Sequence, residues 1–174
     1  TLVLLTSYQM LDDVAARIRP ELAPAGIPLY AQTPGEAAGP LARAFREDGG
    51  AVLLGTASFW EGVDFPGEAL EVLVIARLPF AVPTDPVVTA RSERILEQGG
   101  DPFRDLALPE ALLRFRQGIG RLIRTAEDRG AVVIADPRIV RSGYGERFQA
   151  ALPMPPRVVR RPDEAGLLLE RWFA

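Results

Sequence analysis

Residues 2–19 have the sequence LVLLTSYQMLDDVAARIR, and this stretch predicts a buried strand followed directly by a helix. Leu2 to Thr6 form a short continuous apolar run, which is typical of a strand buried on both faces. Ser7 is the predicted N-cap of a helix from Tyr8 to Arg19, and Pro20 is predicted to end that helix because proline lacks a backbone N–H donor. The stretch therefore predicts a β-turn-α unit with Ser7 at the carboxyl end of the strand.

The same alternation of apolar runs and helical periodicity continues along the chain. Strands are predicted at residues 29–31, 51–54, 72–76, 131–135 and 157–159, and helices at residues 37–47, 87–98, 109–124, 142–152 and, capped by Asp163, up to Phe173. Loops are predicted at residues 78–86, which are rich in proline, and at residues 99–108. This order predicts a doubly wound α/β domain, in which ligands bind where strand carboxyl ends meet helix amino ends.

The composition excludes several classes of site. The 174 residues contain no Cys and no His, and all 20 basic residues are Arg. Disulfides, thiol or imidazole catalysis and a Cys/His metal cluster are therefore excluded within this chain, and so is a Walker-type phosphate loop, which needs Lys. We predict no metal site. The net charge of −3 argues against a uniformly basic nucleic-acid surface but allows a local basic groove.

The chain carries no sign of a membrane or secretory segment. No apolar run approaches the roughly 20 residues that a membrane span needs, and no signal peptide opens the sequence. A hydrophobic content of 48% indicates a globular domain. Because Thr1 leads straight into a predicted strand, we expect the chain to be part of a longer protein.

Residues 112–124, LLRFRQGIGRLIR, predict an amphipathic helix with an unusual polar face. Its apolar side would carry Leu112, Phe115, Ile119, Leu122 and Ile123. Its polar side would carry Gln117, Arg121 and Arg124, and two like charges three residues apart repel each other. Gly118 and Gly120 flank this face, and we interpret them as room for an anion that the arginine forks bind. The alternative is the solvated side of an ordinary amphipathic helix.

Residues 55–67, GTASFWEGVDFPG, form a second candidate site directly after a buried strand. Gly55 would let the chain turn sharply. Thr56 and Ser58 present hydroxyls that can bind a nucleic-acid phosphate, or that satisfy the turn itself. Glu61 and Asp64 present carboxylates that can accept from a ribose hydroxyl, although Asp64 is also a common turn residue. Phe59 and Trp60 are predicted to be core residues rather than base-stacking platforms.

Taken together, these segments resemble the second RecA-like motor domain of superfamily 2 helicases, in the DinG/XPD-type branch. The resemblance covers nearly the whole chain. VLLTSYQML is similar to motif IV, GTASFWEGVDFPG to motif V and QGIGRLIR to motif VI, and the last two strings are specific to this branch. The segments ARLPF and DPVVTAR after motif V are also similar to it.

The resemblance implies a role for each matching residue. Arg121 and Arg124 match the arginine fingers that reach the terminal phosphate of ATP, with its Mg²⁺, held mainly by the first motor domain. Four residues match positions that face the same nucleotide: Gln117, Glu61, Gly62 and Asp64. Four others match positions that contact single-stranded DNA: Ser7 and Tyr8 in motif IV, and Thr56 and Ser58 in motif V.

The resemblance also implies what this chain lacks. Walker A and B residues belong to the first motor domain, and any iron–sulphur cysteines would lie in that missing part. The implied function is an ATP-dependent DNA helicase that acts 5′ to 3′ in DNA repair, in the cytoplasm at the nucleoid. This chain would contribute one motor half and would be inactive alone. The alternative is a non-catalytic RecA-like module that docks a protein or nucleic acid. A free-standing Rossmann-like enzyme is disfavoured because no GxGxxG loop follows any strand.

Overall fold

The computed structural model describes residues 1–61, 70–120, 122 and 129–174, except for the side chain of Glu61. Within these ranges the chain forms one five-stranded sheet. Its strands are β1 (Leu2–Leu4), β2 (Leu29–Ala31), β3 (Val52–Gly55), β4 (Val72–Ile75) and β5 (Ala131–Ile134). All neighbouring pairs are parallel, in the order β2-β3-β1-β4-β5. The central strand β1 aligns Leu4 with Gly55 of β3 and with Ile75 of β4.

Helices cover both faces of this sheet. The described α-helices are α1 (Tyr8–Leu22), α2 (Ala38–Asp48), α3 (Ala57–Glu61), α4 (Pro86–Glu97), α5 (Leu108–Ile119), α6 (Arg138–Arg141), α7 (Gly145–Gln149) and α8 (Pro162–Phe173). On one face, Leu11 and Ala15 of α1 pack with Leu5 and Leu54. On the other face lies a larger core that includes Phe45 of α2 and Phe115 of α5. The predicted doubly wound α/β architecture is confirmed.

The first predicted unit forms as expected, with one difference at its end. Ser7 is the N-cap of α1, and its hydroxyl accepts from the Met10 N–H at 3.2 Å. The prediction that Pro20 ends the helix is wrong, because α1 continues to Leu22 with Pro20 inside it. Pro20 and Ala16, whose carbonyl loses its helical partner, are both exposed, so water can take the place of the missing bond.

Four further predictions are wrong in detail. Residues 157–159 form no strand, and Val158 is 63% exposed, so the segment lacks the burial that favours an apolar strand. The side chain of Asp163 does not cap α8, which begins earlier, at Pro162. Residues 103–107 are a π-helical segment that leads into α5, where a loop was expected. Residues 142–152 do not form one helix, because Ser142 is extended with a ψ of 152° and only Gly145–Gln149 are helical.

The parallel sheet gathers its strand ends at one edge. The ladder continues one residue past several strands, through Leu5 N–H to the Gly55 carbonyl at 2.9 Å and Gln32 N–H to the Leu54 carbonyl at 3.0 Å. On the other side, Ala76 N–H donates to Leu4 at 3.1 Å and Ala135 N–H to Ile75 at 2.9 Å. We call this border the carboxyl edge. The residues that immediately follow the five strands therefore lie beside one another.

Candidate functional site

The carboxyl edge brings together residues that are far apart in sequence. Four side chains lie along it: Ser7 after β1, Gln32 after β2, Thr56 after β3 and Asp136 after β5. Ser7 is exposed, whereas the other three are buried, with exposed fractions of 2% for Gln32, 5% for Thr56 and 4% for Asp136. Tyr8, the first residue of α1, is half-buried beside Ser7. The edge therefore combines a polar surface with a buried polar layer beneath it.

Gln32 holds the loop after β3 through three hydrogen bonds. Its Oε1 accepts from the Thr56 backbone N–H and from the Thr56 hydroxyl, both at 2.9 Å. Its Nε2 donates to Ser58 Oγ at 2.7 Å. Ser58 itself is exposed. Both hydroxyls thus bond to Gln32, but the Thr56 hydroxyl points into the protein and the Ser58 hydroxyl lies at the surface.

Sequence reasoning missed Gln32. The available signal was a single polar residue directly after a short apolar strand, in LYAQT at residues 29–33. That signal does not reveal that the side chain turns inward to satisfy a neighbouring strand end. A buried polar group is costly without a hydrogen-bond partner, and here both ends of the Gln32 amide have one.

The loop after β3 continues into α3, whose aromatic residues are core as predicted. Phe59 is 0% exposed and Trp60 is 3% exposed. The Trp60 indole N–H donates to the Leu5 carbonyl at 3.3 Å, at the end of β1. Gly55 has no positive φ, so a sharp glycine turn is not the reason for it. Its role is space, because a Cβ there would lie 2.5 Å from the Phe59 ring.

Helix α5 presents Gln117 on its exposed side, while Phe115 and Ile119 are buried. The expectation that Gly118 leaves room for an anion is wrong. Gly118 is buried, and a Cβ would lie 2.9 Å from two ring carbons of Trp60. Gly118 therefore allows α5 to pack closely on α3.

Helix α5 also ends earlier than predicted, at Ile119 with Gly120 as its C-cap. The Leu122 N–H donates to the Ile119 carbonyl at 3.0 Å, which is the i to i−3 bond of a tight turn and not that of a continuing α-helix. Leu122 is buried, as the apolar pattern predicted. Arg121, Arg124, Gly62 and Asp64 lie outside the described residues, as does the side chain of Glu61.

Asp136 and Arg138 form a second polar cluster that sequence reasoning missed. Asp136 accepts from the Leu78 N–H at 2.8 Å and from Arg138, with Arg138 Nη2 at 2.6 Å from Oδ2. Burial raises the pKa of the Asp136 carboxyl, but the hydrogen bonds from Arg138 and the backbone outweigh it, so the pKa lies below its ordinary value. The cluster ties the segment after β4 to the end of β5. The signal was an acid two residues before an arginine, directly after the apolar run at residues 131–135.

None of the helices in the described part of the chain is long and apolar enough to cross a lipid bilayer.

Comparison with known proteins gives a consistent family. The family model for the helicase C-terminal domain matches residues 1–154. Over 153 residues the chain is 47% identical to the 3'-5' exonuclease DinG of Bacillus subtilis, covering 87% of this chain and 16% of that protein. Over 156 residues it is 44% identical to the ATP-dependent DNA helicase YoaA of Escherichia coli, covering 89% of this chain and 24% of the relative. The chain thus spans a quarter or less of these curated relatives.

A solved structure shows the same fold. Xpd4 of S. tokodaii superposes with a TM-score of 0.53 at 26% identity, covering 84% of this chain and 27% of the Xpd4 chain. Together with the five-stranded parallel sheet, this likeness identifies the fold as RecA-like α/β. The chain belongs to the helicase C-terminal domain family, in the branch that contains DinG, YoaA and XPD.

Proposed function

We propose that this chain is the second motor domain of an ATP-dependent DNA helicase, which grips single-stranded DNA and supplies arginine fingers to ATP bound by the first motor domain. One observation carries the proposal. Trp60 donates to the carbonyl of Leu5 at the end of β1 and packs on Gly118 of α5. One buried side chain therefore joins the DNA-side strand ends to the helix that leads to Arg121 and Arg124.

The DNA side of the proposal is the carboxyl edge of the sheet. Ser7 and Ser58 are exposed there, and a hydroxyl can donate to a phosphate oxygen. Tyr8 is half-buried beside Ser7, where its ring adds a contact to the backbone of the DNA strand. Thr56 supports this surface from inside the protein, since its hydroxyl donates to Gln32. Contacts of this kind position the strand without selecting its sequence.

The nucleotide side begins at the carboxyl end of α5. Gln117 is exposed on a helix whose other face is fixed in the core, so its amide can meet a nucleotide without disturbing the packing. This placement fits a nucleotide site shared with another domain. Arg121 and Arg124 follow Gln117 by four and seven residues in the sequence. Glu61, Gly62 and Asp64 complete the set of residues that we propose to face the nucleotide. No acid cluster of this chain is needed for Mg²⁺, which the first motor domain would hold with ATP.

The chemistry explains why the arginines belong on a second domain. Bound ATP supplies the free energy of hydrolysis. A guanidinium stays charged and stabilises the charge that develops on the transferred phosphoryl group, and an arginine finger is worth about 10³ to 10⁵ in rate in GTPases. Because these arginines act from another domain, hydrolysis requires the cleft to close, and closure moves the carboxyl edge with the DNA. The direction of movement proposed is 5′ to 3′.

The composition of this chain limits what it can contribute. The chain alone should not hydrolyse ATP, because it has no Lys for a Walker A loop. Any iron–sulphur cluster would belong to the rest of the protein, because this chain has no Cys. We also propose that the full-length protein acts in DNA repair, in the cytoplasm at the nucleoid.

The test is ATP hydrolysis by the full-length protein with and without single-stranded DNA. The proposal predicts hydrolysis that rises strongly when DNA is added. Hydrolysis that is absent, or that does not respond to DNA, would favour the alternative of a non-catalytic RecA-like module. The same assay on the isolated 174-residue chain should give no turnover.

A further inference from the structure

We infer that Gln32 is a positioning residue for DNA binding, which orients the Ser58 hydroxyl so that its proton is offered outward to a phosphate oxygen of the strand. The inference rests on the proposed DNA contact of Ser58. Gln32, which is buried directly after β2, decides the direction of that hydrogen bond, and the proposed contact alone leaves this direction open.

The orientation of the Gln32 amide follows from its partners. The backbone N–H of Thr56 can only donate, and it lies 2.9 Å from one end of the amide. That end must therefore be the oxygen, and the opposite end must be the NH₂ group. The NH₂ group lies 2.7 Å from Ser58 Oγ.

The direction at Ser58 follows in turn. Because Gln32 Nε2 can only donate, Ser58 Oγ must accept this bond, and the hydroxyl keeps its own proton for another partner. No acceptor for that proton is present among the residues that the structure describes, and Ser58 is exposed. An exposed hydroxyl that is held as an acceptor from below is suited to donate to an anion above.

The two hydroxyls of this loop therefore have different tasks. The Thr56 hydroxyl donates inward to Gln32 Oε1 at 2.9 Å and is 5% exposed. The Thr56 hydroxyl fixes the orientation of the Gln32 amide, and the amide fixes the orientation of the Ser58 hydroxyl. The Ser58 hydroxyl then donates to the phosphate. Gln32 is 2% exposed and has both ends bonded, so this chain of hydrogen bonds is set before DNA arrives.

The test uses the full-length protein and a fluorescent single-stranded oligothymidylate, whose affinity is measured by anisotropy. Gln32→Glu keeps oxygen acceptors for Thr56 but loses the donor to Ser58 when the carboxyl is ionised, so the Ser58 proton turns inward. The affinity should fall about tenfold or more near pH 8, as for loss of a hydrogen bond to a charged group.

Two further variants separate orientation from charge. Gln32→Met is neutral and has no donor, so it should also bind weakly, but it should weaken binding no further when it is combined with Ser58→Ala. Gln98→Glu adds the same charge at the far end of α4, on an exposed residue, and should bind as wild type does. Thermal unfolding of each variant shows whether the fold is retained, and Gln32→Glu carries the test if Gln32→Met does not fold.

Ser58→Ala distinguishes failure of this inference from failure of the proposed DNA contact. If Ser58→Ala binds DNA as wild type does, the contact itself is wrong. If Ser58→Ala binds weakly but Gln32→Glu binds normally near pH 8, or if Gln32→Met weakens binding just as much when it is combined with Ser58→Ala, the role of Gln32 is overturned. Weak binding by Ser58→Ala and by Gln32→Glu, with no further loss when Gln32→Met is combined with Ser58→Ala, supports it.

Discussion

Gly118→Ala tests the contact that joins α5 to α3. An alanine in a helix interior is normally more stable than a glycine by about 0.5–1 kcal/mol, because glycine loses more backbone freedom on folding. At residue 118, however, the new Cβ would lie 2.9 Å from Trp60 Cε3 and Cζ3 and 3.4 Å from Leu4 Cδ1. The Trp60 ring is 3% exposed and is held by its bond to the Leu5 carbonyl, so it has little room to move.

The net effect can be worked out from these two terms. Overpacking of a core costs about 1–3 kcal/mol, which exceeds the gain in helix propensity. We therefore expect Gly118→Ala to lower the free energy of unfolding by about 1 kcal/mol. Urea denaturation of the 174-residue chain, followed by circular dichroism, measures this change.

Gly39→Ala is the matched control. Gly39 lies in α2, which packs into the same core, but a Cβ there meets nothing within 4 Å. Its free energy of unfolding should stay the same or rise by up to about 1 kcal/mol. The reasoning is refuted if Gly118→Ala is as stable as Gly39→Ala, because Trp60 would then not limit the space at Gly118.

Two further predictions concern buried contacts. Asp136→Asn should lower the free energy of unfolding by about 2 kcal/mol at neutral pH, because the carboxylate accepts from Leu78 and Arg138. Since the folded pKa of Asp136 lies below its ordinary value of 3.8, this stabilisation is present above that value and is lost as the pH falls through the folded pKa. The wild-type and variant stabilities, measured by urea denaturation, should therefore converge in acid, and a gap that persists there would contradict the assignment. Gly55→Ala should cost about 1–3 kcal/mol by driving a methyl into the Phe59 ring, and an unchanged urea midpoint would contradict this expectation.

Much of the fold could be predicted because its signals are local. Apolar runs without alternation mark the buried parallel strands, and Ser7 marks the start of α1. The prediction of a strand at residues 157–159 was wrong because strand pairing is not a local property. A local apolar pattern does not reveal whether a neighbouring strand exists to pair with it.

The geometry around the candidate site residues could not be predicted from the sequence. Thr56 and Ser58 were identified from their place after β3, yet their opposite orientations depend on Gln32, which is 24 residues from Thr56. Likewise, Gly118 was interpreted as room for an anion, because the sequence does not reveal that its neighbour is Trp60 on another helix. Contacts between distant segments decide such roles, and periodicity along one segment carries no information about them.

The arginine-finger assignment is the central claim, and DNA-stimulated ATP hydrolysis by full-length Arg121→Ala and Arg124→Ala variants tests it most directly. The account predicts that turnover falls about 10³-fold or more in each variant, while circular dichroism and urea unfolding match wild type. Arg43→Ala, which removes an exposed arginine from α2, is the control and should retain full activity. Near-normal turnover in both the Arg121 and Arg124 variants would contradict the claim that this domain completes the ATP site.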